Sequence, residues 1–454
     1  MKRLLLTSLL LSGSLLAQGQ LSFQTRVVKD NLFIPWEITW GPDQHIWFTQ
    51  KNGYICRLNP ETSQTDTLWH QANTVILGEG GMLGMAVHPM LLSGQPYVYV
   101  AYEYESGGNY LERIQRLTYN AATNTLGSPL TFIDAIPGAM FHNGCRMTLA
   151  DNYLFVATGD ATVAARAQDL SSLNGKILRL NLDGTVPADN PIAGSYVYSW
   201  GHRNAQGLVF ANGRLYSSEH GPNTDDEINI IEKGRNYGWP DVAGFCDLPA
   251  EMTFCADSNV AEPLYIWTPT IAPAGMDYYS HAMFPALQQS LILATLKDQK
   301  LYRLKLNSTL DGIDSVAAIP GVNFGRLRDV CIAPDGRIFI STSNSNASGS
   351  GAFSDRIIEL YDSTATGVKI VTAARLSLSP NPAQDLLRIS LETPVATDAT
   401  YQVLDAQGRM VLHGKWAAGK QELLLDLKSL AAGSYWLQLA EGGKRYQAVV
   451  FQKK

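Results

Sequence analysis

Beyond residues 1–17 the chain has no apolar run near the roughly 20 residues that a membrane-spanning helix requires. It also lacks a strong charge of either sign. Against 41 Asp and Glu stand 35 Lys and Arg, a net charge of -6, which points away from nucleic acid and anionic membrane as partners. Cysteine is scarce, five in 454 residues, and none of the five falls at a zinc-ligand spacing. No cysteine closely follows the leucine-rich start, which argues against a lipid-anchored form. No twelve-residue EF-hand spacing is present either, so any calcium must be held by another arrangement.

What is present begins with an export signal. Residues 1–17, MKRLLLTSLLLSGSLLA, have a basic start, a leucine-rich middle and a small final residue, the grammar of a secretory signal peptide. In an exported chain five cysteines is an odd number, so at least one thiol stays unpaired unless it bonds between chains. Cys246 and Cys255 lie close together in an insert and are the expected disulfide. Cys56, Cys145 and Cys331 sit in or beside strand-like runs and are expected as small buried residues.

With 45% apolar residues, the chain can form one large domain and one small one. From residue 18 to 362 one pattern returns six times: an apolar run, a turn, a strand with an aromatic or β-branched centre, a polar interval, and a further strand that often ends in Arg-Leu. The leading runs are PWEITW, MLGMAVHP, CRMTLA, GLVF, a weaker one near Met276, and DVCIAP. The units that follow include HIWFTQKNGYICRL, NYLFVATGD with GKILRL, GRLYSSEHGP with DEINII, and LILATLKDQKLYRL. With a fourth, outer strand per unit, a spacing of roughly 50 residues fits the blades of a β-propeller. An array of β-sandwiches would not explain why the copies fill the span. The expected fold is therefore all-β, a six-bladed β-propeller followed by a small C-terminal β-sandwich.

In such a blade the residues just before the first strand and just after the second converge on one face, beside the central channel. The positions leading in carry Glu79, His142, Arg203, Asn204, Gln206, Arg326 and Arg328; those leading out carry Asp160, Glu219, His220, Gly221, Pro222 and Lys297. The densest stretch runs from Ser199 to Pro240. If its two apolar runs pair across Ala211-Asn212-Gly213, then Arg203, Asn204 and Gln206 face Glu219, His220, Gly221 and Pro222. A polar loop that merely caps a sheet is the alternative, weakened by the recurrence of the layout. So many ionisable groups at equivalent repeat positions make this face the candidate site.

Arg203, Lys297, Arg326 and Arg328 gathered at one mouth call for an anion with several carboxylates or phosphates, whose oxygens match the guanidinium fork. The alternative is that each arginine pairs with a nearby carboxylate such as Asp329. The segment EHGPNTDDEIN offers carboxylates and a Gly-Pro whose carbonyls can turn inward, a hard-oxygen setting that allows calcium without requiring it. His142, leading into one hairpin, and Asp160, closing it, have the arrangement of a general base held by a carboxylate. A hydrogen-bonded core histidine is the competing reading.

The runs GEGGMLGMAVHP, FHNGCRMTLADNYLFVATGD, AQDLSSLNGKILRLNLDGTVPADNP, GHRNAQGL, EHGPNTDDEINIIEKGRNYGWP, IAPAGM and GRLRDVCIAPDG resemble the soluble PQQ-dependent aldose sugar dehydrogenases of the glucose/sorbosone dehydrogenase family, in the family's order over most of residues 25–362. The resemblance implies a quinoprotein that oxidises the C1 hydroxyl of an aldose to a lactone. It implies a catalytic set of His142 as base, Asp160 orienting it, and Arg203. Glu79, Arg203, Asn204, Gln206, Lys297, Arg326 and Arg328 would surround the tricarboxylate cofactor PQQ. The carbonyls of Gly221 and Pro222 would bind the calcium at the quinone, and Glu227 and Tyr237 match a second, structural calcium of some relatives. Two residues depart from the family pattern: Glu79 stands where relatives carry glutamine, and Cys145 where a glycine is usual.

From Asp362 the composition changes. Residues 363–375 read as a linker, and 376–454 as alternating strands of a β-sandwich without an acid/base constellation, a size that folds alone. On chemistry alone a carbohydrate-binding or spacer module fits. The pattern SPNP, then VLDAQGRMV, then GSYWLQL and a basic end resembles the C-terminal sorting domain of type IX secretion. It implies a secreted or cell-surface protein, exported through the periplasm, with the secretion machinery as a partner. An aldose is the implied substrate, and the sequence names no electron acceptor. Two other classes stay in view: a calcium-dependent lactonase, and a carbohydrate-binding propeller without turnover.

Overall fold

The computed structural model describes residues 21–345, 354–362, 370–371, 376–391, 394–395, 397–405, 410–441, 444–446 and 449–454. The expected signal peptide at 1–17, and the linker at 363–375 apart from Ile370 and Val371, lie outside the described residues. The chain divides into two compact units, Met1–Ser363 and Thr364–Lys454.

The larger unit consists of six four-stranded antiparallel sheets. Their inner strands are Pro35–Trp40, Met82–Val87, Gly144–Ala150, Ala205–Ala211, Pro273–Tyr279 and Leu327–Ile332, one in each of sheets 1 to 6. These are the six leading runs of the repeat, and the weak one near Met276 is a strand like the others. Its pattern is faint because Ala274 and Gly275 take the place of large apolar residues. A Cβ at Gly275 would stand 1.6 Å from Asp329 Oδ1, and one at Gly84 1.9 Å from the carbonyl of Cys145, so neighbouring sheets approach too closely there for a side chain.

Each inner strand packs on the next, and that of sheet 6 packs on that of sheet 1. The strand Gln24–Leu32 does not join sheet 1. It pairs with Asp355–Tyr361 and completes sheet 6 from the far end of the chain. Asp355, fully buried, reinforces the junction by accepting from the amides of Ile34, Asn344 and Ser345. A cavity of about 360 Å³ is lined by residues of all six inner strands, among them Glu37, Arg146, Asp277 and Asp329. Apolar layers between successive sheets form the core, with Trp47, Tyr99, Tyr216 and Tyr279 fully buried. Each such side chain contributes about 1.5–3 kcal/mol by leaving water.

All six inner strands enter their sheets irregularly, with register breaks at Pro35/Ile38, Met82/Met85, Gly144/Met147, Ala205/Gly207, Pro273/Met276 and Leu327/Asp329. A break at the same end of every inner strand releases side chains there from strict alternation and re-aims them. Cys246 and Cys255 are bonded on an insert that carries the helix Pro249–Ser258, while Cys56, Cys145 and Cys331 are free and buried.

In the smaller unit the three-stranded sheet Leu376–Ser379, Leu386–Leu391 and Glu422–Asp426 and a second, larger sheet share one apolar core around Leu387, Ile389, Trp416, Leu437 and Phe451.

Candidate active site

At the end where the inner strands begin, a cavity of about 230 Å³ is walled by Glu79, Phe141, His142, Arg203, His220, Gly221, Pro222, Asp226, Thr270 and Ala272. Sheets 2 to 5 and the loops beside them supply these residues. The lead-in segments are tied to each other across sheets: the amide of Glu79 donates to the carbonyl of Met140, and that of Asp160 to the carbonyl of Arg203. His142, Gly144 and Cys145 all have positive φ, at 62°, 67° and 69°. A left-handed backbone such as that at Cys145 is one that glycine adopts at the least cost. The Cys145 thiol points away from the base, its Sγ donating to Glu112 at 3.3 Å in a fully buried layer.

His142 Nδ1 lies 2.8 Å from Asp160 Oδ1. Asp160 is buried and also accepts from the Thr162 amide at 2.7 Å. A carboxylate can only accept, so in the neutral ring Nδ1 carries the proton and Nε2 keeps its lone pair.

Behind this wall runs a chain of hydrogen bonds. Glu79 Oε2 accepts from the His142 amide at 2.9 Å and from Asn204 Nδ2 at 3.2 Å. Asn204 Oδ1 accepts from Gln206 Nε2 at 3.0 Å, and Gln206 Oε1 from Arg328 Nη1 at 2.9 Å. Burial would raise the Glu79 carboxyl, but His220, the His142 amide, Arg328 and His142 outweigh it and hold the group below the usual carboxylate range. Glu79 is thus an ionised acid in the cavity wall.

The four cations divide by depth. Arg328 is buried and Arg203 half-buried, and loss of water lowers the pKa of both, that of Arg328 to about 10. Lys297 and Arg326 are exposed at the rim. Among the described residues each side chain bonds to a neutral oxygen: Arg203 to the His220 carbonyl, Lys297 to Thr270 Oγ1, Arg326 to the Leu296 carbonyl and Arg328 to Gln206. The expected alternative partner, Asp329, is held by Arg146 instead. Among the described residues the buried Nε atoms of Arg203 and Arg328 have no acceptor. A guanidinium drawn out of water without a carboxylate bonded to it is costly, and an anion from outside the chain would complement it.

Gly221 and Pro222 sit between this cavity and a smaller one of about 10 Å³, which they share with Arg203, Glu227, Tyr237 and Trp239. A Cβ at Gly221 would stand 1.9 Å from the Thr224 carbonyl and 2.5 Å from that of Asp225, so backbone oxygens crowd this turn. Burial and the neighbouring Glu219 push the Glu227 carboxyl up to about 8, a strain that a cation would relieve. Tyr237 spends its hydroxyl on the Ile230 carbonyl and stacks on His202. Among the described residues no group of three or more His, Cys, Asp or Glu side chains is arranged to hold a metal, so a calcium ion here would depend on backbone carbonyls.

Of the residues expected from sequence, Glu79, His142, Arg203, Gly221 and Pro222 meet in the larger cavity. Asp160, Asn204, Gln206 and Arg328 are linked to its wall by hydrogen bonds, Lys297 bonds to Thr270 of the wall, Arg326 is not among the lining residues, and Glu227 and Tyr237 belong to the smaller hollow. Three neighbours were not among the residues assigned a role in the site, though Asp226 lies in the carboxylate-bearing segment EHGPNTDDEIN. Asp226, buried, accepts from the amides of Gly221, Ile271 and Ala272 and so shapes the Gly-Pro turn. Lys51, buried, leads out of the second strand of sheet 1, the same repeat position as Asp160 and Lys297, and its charge reaches Arg328, Glu79 and Glu103. Trp239 donates its indole N–H to Asp160 Oδ2 at 2.9 Å. Repeat position could have pointed to Lys51; no local signal marks Trp239.

The family described as Glucose / Sorbosone dehydrogenase matches residues 32–351, and the Secretion system C-terminal sorting domain matches 377–452. The chain is 30% identical over 404 residues to Quinoprotein glucose dehydrogenase B of Acinetobacter calcoaceticus, covering 70% of this chain and 84% of that one. To the Aldose sugar dehydrogenase YliI of Escherichia coli (strain K12) it is 28% identical over 361 residues, covering 75% and 95%. The PQQ-bound form of aldose sugar dehydrogenase from Streptomyces coelicolor has a similar structure, with TM-score 0.63 and 31% identity over 75% of this chain and 98% of that one. The sorting tail marks a secreted or cell-surface protein, and among the described residues no helix is long and apolar enough to cross a membrane.

Proposed function

The chain belongs to the glucose/sorbosone dehydrogenase family, and from that premise we propose that it is a PQQ- and calcium-dependent oxidoreductase that converts the C1 hydroxyl of aldose sugars to the lactone. In this reading the six sheets close as a six-bladed β-propeller, with the cavity at the hub of one face. The observation that carries it is the meeting of a carboxylate-held histidine with guanidinium groups that, among the described residues, have no carboxylate bonded to them.

The residues present fit the cofactor. Arg203, Arg328, Lys297 and Arg326 would hold its carboxylates, and Asn204 and Gln206 fix Arg328 and Glu79 in place. The carbonyls of Gly221 and Pro222 would hold calcium, and Glu227 and Tyr237 would serve a second, structural ion. Bound there, PQQ supplies a quinone that accepts hydride, and calcium a hard cation that polarises it. His142 Nε2 takes the proton of the sugar hydroxyl, and Asp160 stabilises the imidazolium through Nδ1. The ionised Glu79 holds the His142 backbone in place. The C-terminal unit hands the chain to the type IX secretion machinery.

Dye reduction with a panel of aldoses tests the assignment, comparing apo-protein, protein with calcium, and protein with calcium and PQQ. Only the last should turn over. His142→Ala should abolish dye reduction while PQQ binding persists; unchanged turnover would remove His142 as the base. Lactone hydrolysis by the calcium form without quinone would instead make the protein a lactonase. Sugar binding without dye reduction in any form would leave a carbohydrate-binding propeller.

A further inference from the structure

The carboxylate behind His142 has two oxygens, and they are held by different parts of the molecule. Oδ1 receives His142 Nδ1 at 2.8 Å and the Thr162 amide at 2.7 Å. Oδ2 receives Trp239 Nε1 at 2.9 Å, and among the described residues it has no other donor. Trp239 comes from sheet 4's neighbouring loop, nearly eighty residues further along the chain, and its backbone is pinned on both sides. Its amide donates to the Gly201 carbonyl at 3.0 Å, and its carbonyl accepts from Gln168 Nε2 at 2.7 Å. The preceding Gly238 has φ of 87°, and a Cβ there would stand 2.7 Å from Val242 Cβ, so the turn that presents the indole requires glycine. The Arg203 guanidinium lies over the Trp239 ring, 5.3 Å from its centroid. One indole therefore joins the carboxylate behind the base to a cation of the cavity.

We infer that Trp239 is a positioning residue for the proposed oxidation: it locks the plane of the Asp160 carboxylate, and through it the Nδ1–H tautomer of His142 that leaves Nε2 free to accept the hydroxyl proton. The inference rests on the reading of His142 as the base. Without the indole N–H, Asp160 Oδ2 becomes a buried oxygen with no donor, and the carboxylate turns toward whatever partner it can reach. Glu79, Arg203, His220 and Asp226 share the cavity with His142. Both the Glu79 and the Asp226 carboxylates are already engaged by backbone amides, so neither replaces Asp160. The base then samples the tautomer with Nε2 protonated and Nδ1 bare, which cannot take a proton from the sugar side.

The variant Trp239→Phe keeps an aromatic ring beneath Arg203 and removes only the donor. In apo-protein labelled with ¹⁵N-histidine, His142 is assigned by its absence from H142A. Its neutral ring should show one protonated nitrogen and one bare nitrogen, at well-separated shifts. In W239F these two shifts should move toward each other as the tautomers mix. In the PQQ- and calcium-loaded enzyme kcat should fall about tenfold, the scale on which a group behind a functional histidine acts, with PQQ affinity unchanged within about twofold because the stacked ring remains. Superimposable His142 shifts in W239F and the native protein would overturn the inference, as would an unchanged kcat. Should W239F fail to fold by circular dichroism, the native apo-protein decides. The Trp239 indole proton should be protected from exchange and should shift as His142 titrates, and exchange at the rate of an exposed indole would overturn the inference. The ring-nitrogen shifts are read without cofactor, so this failure is distinct from failure of the enzymatic reading, which H142A tests.

Discussion

Two arginines lie on either side of Gln206 and meet the same tryptophan, yet they live in opposite electrostatic settings. Arg146 stands among the inner strands, 4.2 Å from the Trp36 ring centroid, and donates through Nε to the Gln206 carbonyl. Its Nη1 reaches Glu37 Oε2 at 2.8 Å and Asp329 Oδ2 at 2.9 Å, so its charge is compensated inside the chain. Arg328, 5.8 Å from the same ring, donates to the side chain of that same glutamine, and among the described residues it has no carboxylate bonded to it and no partner for Nε. Residue type and burial are alike in the two. What separates a structural arginine from one waiting for a ligand is whether the fold itself supplies the anion.

The sharpest way to break the contrast is to remove the compensated member. Arg146→Ala leaves Glu37 and Asp329 buried together without their cation and is expected to lower the unfolding free energy by about 3–5 kcal/mol, read by chemical denaturation. A loss below about 1 kcal/mol would mean that the pair is not what holds the hub. Arg328→Met removes a buried charge that no bonded carboxylate offsets among the described residues, only the field of Glu79 and Asp329, so the apo-protein should be about as stable as before or more so. PQQ affinity should fall about 10- to 100-fold, the worth of one charged hydrogen bond, and calorimetric titration separates the two effects. Destabilised apo-protein with unchanged affinity would make Arg328 a second Arg146.

The smallest effect concerns Glu79, which shares the cavity wall with Asp226. Glu79→Gln keeps the shape of the group and removes its negative charge, so PQQ should bind about 3- to 10-fold more tightly. The Glu79 carboxyl is held below its usual range in the folded protein. The stability it contributes is therefore present above the unfolded-state pKa near 4.5 and lost as pH falls through the lower folded value. In E79Q that part of the acid limb should vanish from a plot of melting temperature against pH. A limb identical in both proteins would show that Glu79 does not carry its charge at the site.

The repeat was legible because every sheet must bury an inner strand, and burial writes itself into composition. PWEITW and DVCIAP announce theirs, while Pro273–Tyr279 is muted because close approach to Asp329 demands glycine at 275. The positions leading into and out of the inner hairpins pointed to His142, Asp160, Arg203 and Lys297 without reference to distance. Lys51 escaped because a lysine ending a strand looks like any solvated charge, and nothing in KNGYICRL shows that it turns inward. Trp239 escaped for a different reason: an aromatic residue after Gly238 reads as packing, and its bond to Asp160 crosses from one sheet to another's loop.

By itself the sequence determined the periodic alternation of strands and turns, the set of charged side chains at repeated positions, the family and the sorting tail, because each is recorded in residues close together along the chain. Only the tertiary structure decided which arginine finds its carboxylate at home and which does not, that Asp329 serves Arg146 rather than its neighbour Arg328, and that one indole holds the carboxylate behind the base. Those outcomes depend on distances of 2.8 to 2.9 Å between groups as much as 183 residues apart in the chain. Only the packing of the sheets fixes such distances.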